Sequence, residues 1–122
     1  RLVDSPRAYK TDNRIFGERE IWKPKNYGNK LEGSVTLRKA LVKSLNLPTI
    51  GLVEDLGPQR LINYSKKLGI SASMDKNLTI ALGSFSVTLE EMVETYGVFA
   101  NQGQRVDPIF VTKIEMLIPL KK

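Results

Sequence analysis

Proline and glycine punctuate the middle of this chain: Pro48, the pair Gly57-Pro58, Gly69 and Gly103 each stand where one helical apolar pattern stops or another starts. The residue before a proline avoids the helical region, proline is at home in the first turn of a helix, and glycine takes the conformation that ends one. Residues 34–103 therefore read as a set of short helices joined by corners. Thr36 is placed to cap the first, whose apolar side carries Leu37, Ala40, Leu41 and Leu45, with Ser44 falling on that same inward face. A second is expected over about 48–56. A third starts with Pro58, buries Leu61, Ile62 and Leu68, and stops at Gly69. A fourth opens with the capping box Thr88-Leu89-Glu90-Glu91 and lines up Leu89, Met92, Val93, Tyr96 and Ala100 on one face before Asn101-Gln102-Gly103. The flanks differ. Residues 1–33 read as lead-in loops with a short strand around 8–10, and 104–122 as a tail holding a strand at 109–116, where the run is β-branched and partly alternating. The expectation is a mainly α chain, a helical subdomain plus a C-terminal β-strand.

With 122 residues the chain has room for one compact unit, and no stretch approaches the roughly 18–20 apolar residues of a membrane span. It has no cysteine and no histidine, so disulfides, thiol nucleophiles and the commonest general base and metal ligand are all excluded. Neither a metal nor a cofactor is expected. The net charge of +6 permits an anionic partner, and a small basic nucleic-acid-binding module is the rival from another class. That rival wants cations gathered on one helix beside aromatics free to stack on bases, whereas here the basic residues are dispersed and Tyr64, Tyr96 and Phe99 lie at or near core spacings. No nucleic acid is expected.

Several short motifs are decoys. Ser73-Met74-Asp75-Lys76 fits the S-x-x-K pattern of serine enzymes, in which the lysine lies one helical turn beyond the nucleophile, but it sits in a polar segment without a helical frame. Thr11-Asp12-Asn13 reads as a turn, and Asn63-Tyr64-Ser65 and Asn77-Leu78-Thr79 match a glycosylation pattern too short to carry weight alone. Ser44-Leu45-Asn46 has a more distinctive setting. It closes one amphipathic helix and opens onto Leu47-Pro48, so a hydroxyl and a carboxamide project from an inter-helix corner. Read alone, Asn46 is better taken as a helix cap.

The flanking residues decide between these readings. Trp22-Lys23-Pro24-Lys25-Asn26-Tyr27, then Gly33-Ser34-Val35-Thr36-Leu37-Arg38-Lys39-Ala40-Leu41 running on to Ser44-Leu45-Asn46-Leu47-Pro48, then Ala81-Leu82-Gly83-Ser84 and Tyr96-Gly97-Val98-Phe99-Ala100-Asn101-Gln102-Gly103 follow in one order. Together they resemble the transpeptidase domain of penicillin-binding proteins, especially the bifunctional class A enzymes. The resemblance implies part of the α/β serine β-lactamase/DD-transpeptidase-like fold. It also implies a peptidoglycan cross-linking activity that proceeds through an acyl-enzyme and is acylated by β-lactams. Of the family's three motifs only S-x-N is matched; S-x-x-K, expected before the W-x-P-x-N-Y element, and K-T-G, expected after the strand at 109–116, are not. By resemblance, Ser44 is a proton relay, Asn46 binds the substrate amide, and Trp22, Pro24 and Tyr27 pack the lead-in loop. A monofunctional transpeptidase or another penicillin-recognising relative is the alternative within the family. The chain is expected to be an internal piece, inactive alone, of a membrane-anchored protein working outside the bacterial cytoplasmic membrane. The partners so implied are stem peptides, β-lactams, the remainder of the domain and, for the piece in isolation, a second copy.

Overall fold

The computed structural model describes every residue except 16 and 116–122. Four strands come first: β1 (Leu2–Asp4), β2 (Tyr9–Ile15), β3 (Glu18–Trp22) and β4 (Gly33–Val35). Among the described residues four helices follow, α1 (Leu37–Val42), α2 (Asn46–Leu56), α3 (Pro58–Lys67) and α4 (Leu89–Ala100), with 3₁₀ turns at Tyr27–Asn29 and Leu78–Leu82. The strands form two separate antiparallel pairs, β1 with β4 and β2 with β3. Among the described residues no helix is long and apolar enough to cross a membrane.

The helix boundaries follow from local chemistry. The Thr36 hydroxyl accepts from the Lys39 N–H at 3.1 Å, and α3 begins at Pro58 and ends before Leu68. At α4 the capping box is complete, Thr88 accepting from the Glu91 N–H while the Glu91 carboxylate accepts from the Thr88 N–H at 2.9 Å. Helix α2 starts at Asn46, two residues before Pro48. Pro48 is tolerated there because first-turn N–H groups have no partner within the helix.

Residues 1–33 are richer in strand than expected. The β2–β3 hairpin is polar along most of its length and exposed over much of its surface, so it carries no apolar alternation to read. Across it Tyr9 packs on Trp22, ring centroids 5.7 Å apart. Thr11-Asp12-Asn13 is an irregular stretch inside β2 rather than a turn. In the tail the expected strand is absent over 109–115, which is irregular, exposed and unpaired among the described residues; position 116 lies outside them. A strand requires a ladder of hydrogen bonds to a neighbour, and among the described residues neither two-stranded sheet includes 109–115.

Helix α2 is the axis of the fold. Leu47, Pro48, Ile50, Gly51 and Val53 are buried, and β1, α1, α3 and the 78–82 turn all pack on it. One apolar cluster joins Val35, Ala40 and Leu45 with Leu2; the other joins Val53, Ile62 and Ile80, flanked by Leu61, Met74, Leu78 and Ala81. Two expectations about faces are overturned. On α1 only Ala40 is buried while Leu37 and Leu41 are exposed. On α4 the stripe Leu89, Met92, Val93, Tyr96 and Ala100 is exposed, and Thr95 and Val98 are buried instead. Helix α4 is attached by its polar side: the Thr95 hydroxyl donates to the Leu68 carbonyl at 3.2 Å, Ser71 bonds Glu91, and Arg105 pairs with Glu94 at 3.0 Å.

Candidate functional site

The corner between α1 and α2 is built by backbone bonds. The Ser44 N–H donates to the Leu41 carbonyl at 3.0 Å and the Leu45 N–H to the Ala40 carbonyl at 2.9 Å, the double closure that ends a helix on a left-handed residue. That residue is Ser44, with φ +51°, where glycine is the usual occupant. Ser44 thus lies beyond the end of α1 and is exposed, rather than on the inward face the sequence led one to expect. The left-handed turn carries Leu45 back under the helix, into contact with Ala40 and Val35.

Ser44 and Asn46 line one cleft of about 340 Å³ with Ala40 and Thr49, faced by the segment 81–83. Asn46 is the first residue of α2, and its side chain caps nothing. Its Nδ2 donates to the Lys25 carbonyl at 2.8 Å, and its side chain makes no other hydrogen bond among the described residues. The carboxamide oxygen and one N–H are therefore left for a ligand. A hydroxyl that can donate and accept stands beside an amide that can do the same, so the pair can pass a proton and grip a peptide group without an ionised side chain.

Helix α1 is tied to the lead-in segment by charge. Glu32, in the lead-in segment, accepts from Lys39 at 2.5 Å and Lys43 at 2.6 Å, and these two bonds hold its carboxyl below the usual carboxylate range. Behind the cleft, the Asn77 side chain caps the 78–82 turn through the Thr79 N–H at 2.9 Å, and Gly83 ends the turn at φ +76°. Glu91 accepts from the Ser71 hydroxyl at 2.5 Å, the Ser71 N–H at 2.7 Å and the Thr88 N–H at 2.9 Å, and its carboxyl is pulled down to about 2.

Ser73 and Lys76 are both exposed in the non-helical segment before the 78–82 turn, so the decoy S-x-x-K has no helical frame. Of the three residues expected to pack the lead-in loop, Pro24 is buried and Trp22 largely so, whereas Tyr27 is 100% exposed on its 3₁₀ turn. The residue that holds the loop is Asn26, 6% exposed, beside the 1% exposed Asp4. Asn26 stood in the W-x-P-x-N-Y run, but nothing in that spacing reveals its partners, which come from β1 and α2.

Comparisons with known proteins concern the chain as a whole. The chain matches the penicillin-binding protein transpeptidase domain model over residues 3–122. It is 38% identical over 94 residues to penicillin-binding protein 1A of Rickettsia bellii, covering 77% of this chain and 12% of that protein. It is 38% identical over 97 residues to penicillin-binding protein 1A of Pseudomonas aeruginosa, covering 79% of this chain and 12% of that protein. The crystal structure of penicillin-binding protein 1A from Haemophilus influenzae is similar at a TM-score of 0.72 and 27% identity, over 82% of this chain and 14% of that one.

Proposed function

Because this chain belongs to the penicillin-binding protein transpeptidase domain family, of the class A kind, we propose that it supplies the S-x-N wall of a peptidoglycan DD-transpeptidase site. The observation that carries this is the corner itself: it brings Ser44 and Asn46 to one cleft, facing the 81–83 wall, in a chain the family model covers from residue 3 to residue 122.

The chemistry divides between this chain and the rest of the domain. A serine outside these residues attacks the D-Ala-D-Ala carbonyl of a stem peptide, its proton passing to a neighbouring lysine; the terminal D-alanine leaves as the amine, and a second strand's amine then displaces the serine. The Ser44 hydroxyl relays the proton toward the leaving amine, and the Asn46 amide donates to the substrate's carbonyl. A β-lactam takes the same place and leaves a slowly hydrolysed ester. Residues 1–33 act as a scaffold, 34–103 as the helical subdomain and 104–122 as the link onward. The protein works at the outer face of the cytoplasmic membrane, held by an anchor elsewhere, with a glycosyltransferase as its second activity. Part of the basic charge is already committed internally, Lys39 and Lys43 to Glu32 and Arg105 to Glu94, which weighs against nucleic acid as the partner.

The test is acylation of the complete protein by a fluorescent penicillin, with stem-peptide cross-linking alongside. Ser44→Ala and Asn46→Ala are expected to slow both by roughly 10²-fold or more, as for loss of a positioned proton-transfer or hydrogen-bonding group. Folded variants that acylate and cross-link at the parent rate overturn the assignment.

A further inference from the structure

The Ser44–Asn46 corner does not hold itself in place. Helix α2 has Leu45 at its N-cap, which offers no hydrogen-bonding side chain, so its first N–H groups need partners from elsewhere. One comes from the lead-in loop: the Leu47 N–H donates to Asn26 Oδ1 at 3.1 Å, so Asn26 caps a helix that starts twenty residues later in the chain. The neighbouring residue, Lys25, supplies the carbonyl that accepts from Asn46. Two adjacent loop residues thus grip two adjacent residues of α2, one of which is half of the S-x-N pair.

The orientation of Asn26 is itself fixed. Its Nδ2 donates to Asp4 Oδ1 at 2.7 Å and to the Lys30 carbonyl at 3.0 Å, while the second Asp4 oxygen accepts from the Glu32 N–H at 2.9 Å. Both amide hydrogens and the oxygen are therefore used, and Asp4, an acceptor only when ionised, admits just the nitrogen on its side. A flipped carboxamide would set oxygen against carboxylate and nitrogen against the Leu47 N–H, two clashes in a buried place. We propose that Asp4 and Asn26 form a positioning relay for the S-x-N corner: Asp4 orients the Asn26 carboxamide, Asn26 seats the first turn of α2, and that seat holds Asn46 and Ser44 in register with the cleft. Neither residue touches substrate. The proposal rests on the reading of Ser44 and Asn46 given above.

The experiment uses the complete protein and measures the second-order rate of penicillin acylation, with thermal unfolding on the same preparations, for Asn46→Ala, Asn26→Ala and their double variant. Asn46→Ala alone tests the site: a folded variant with an unchanged rate sinks that assignment. If Asn46→Ala is slow, the relay predicts that Asn26→Ala is slowed on the order of tenfold to a hundredfold, the loss expected from small misplacement of a reacting group. It also predicts that the losses do not multiply: the double variant is slower than Asn46→Ala by a smaller factor than Asn26→Ala slows the parent, the remainder being the part that Ser44 loses. Multiplying losses, or an Asn26→Ala protein that melts lower yet acylates normally, mark Asn26 as merely structural and overturn the relay. A reciprocal exchange covers the case in which Asn26→Ala does not fold. Asn26→Asp sets two carboxylates face to face and should be slow or unfolded, and adding Asp4→Asn restores a donor opposite an acceptor while keeping an oxygen for the Leu47 N–H, leaving only the Lys30 carbonyl without its donor. Partial recovery, at least tenfold above Asn26→Asp, is expected; a double variant no better than Asn26→Asp overturns the proposal.

Discussion

Ser44 carries a β-carbon at φ +51°, a conformation that costs a non-glycine residue about 1–2 kcal/mol. Glycine there would remove that strain but raise the entropy of the unfolded chain by a comparable 0.5–1 kcal/mol or so. Ser44→Gly is therefore expected to change stability by less than ~1 kcal/mol while slowing acylation as far as Ser44→Ala does. Denaturant midpoints and acylation rates on one preparation check this, and a parallel loss of both would mean that the serine serves the fold. Glu91 yields a pH dependence of definite sign. Its carboxyl, held at about 2 chiefly by the Ser71 hydroxyl and then by the Thr88 and Ser71 N–H groups, lies below the unfolded value near 4.3, so the charged form is favoured by folding. Its contribution is complete above about pH 4.5 and disappears as the pH falls toward 2. Urea unfolding across that range should show stability falling with pH, and Glu91→Gln should be less stable at neutral pH and flatten that slope.

The helix boundaries show which parts of an element are local. Thr36, Pro58 and the Thr88–Glu91 box mark starts that sequence reveals, because a cap bonds backbone only two or three residues away. The start of α2 is not local, since Asn26 supplies its cap from a distant loop. Helix α2 also contains Gly51, a residue of poor helix propensity. The structure gives it a reason: a β-carbon there would lie 2.6 Å from Arg7 Nη2, in the guanidinium that bonds Glu54 at 2.8 Å and pins the lead-in segment to α2. Gly51→Ala should displace Arg7, the lost Arg7–Glu54 bond offsetting most of the roughly 1 kcal/mol gained in helix propensity. In an Arg7→Ala background the same change should stabilise by about that amount. Additive effects in this double-mutant cycle would show that Arg7 simply moves aside.

At the scale of the whole molecule, the exposed stripe of α4 and the exposed Leu37 and Leu41 of α1 decide behaviour in solution. Apolar surface of this kind is ordinarily covered, and at roughly 25 cal/mol per Å² a few hundred Å² of it is worth several kcal/mol, comparable with the stability of a domain. The 122-residue polypeptide by itself is expected to self-associate and to melt broadly, with a concentration-dependent midpoint; sedimentation and thermal melts at several concentrations check this, and a monomer with a sharp, high, concentration-independent transition contradicts it. It is also expected to form no covalent adduct with penicillin by mass spectrometry, because Ser73 and Lys76 lack a helical frame; an adduct on Ser73 or Ser44 would reassign the nucleophile. By itself the sequence determined the helices of residues 34–103, the local starts of α1, α3 and α4, the existence of a break between α1 and α2 and the family, since all of these lie in short-range chemistry or in ordered runs of residues. Only the tertiary structure decided that Ser44 is a left-handed residue past the end of α1, that β2 and β3 pair although neither alternates, that 109–115 has no ladder, and that α4 docks by its polar side. The physical reason is the same each time: burial and hydrogen bonding are settled by which distant segment arrives, and Asp4, Asn26 and Leu47 meet only because β1, the lead-in loop and α2 pack together.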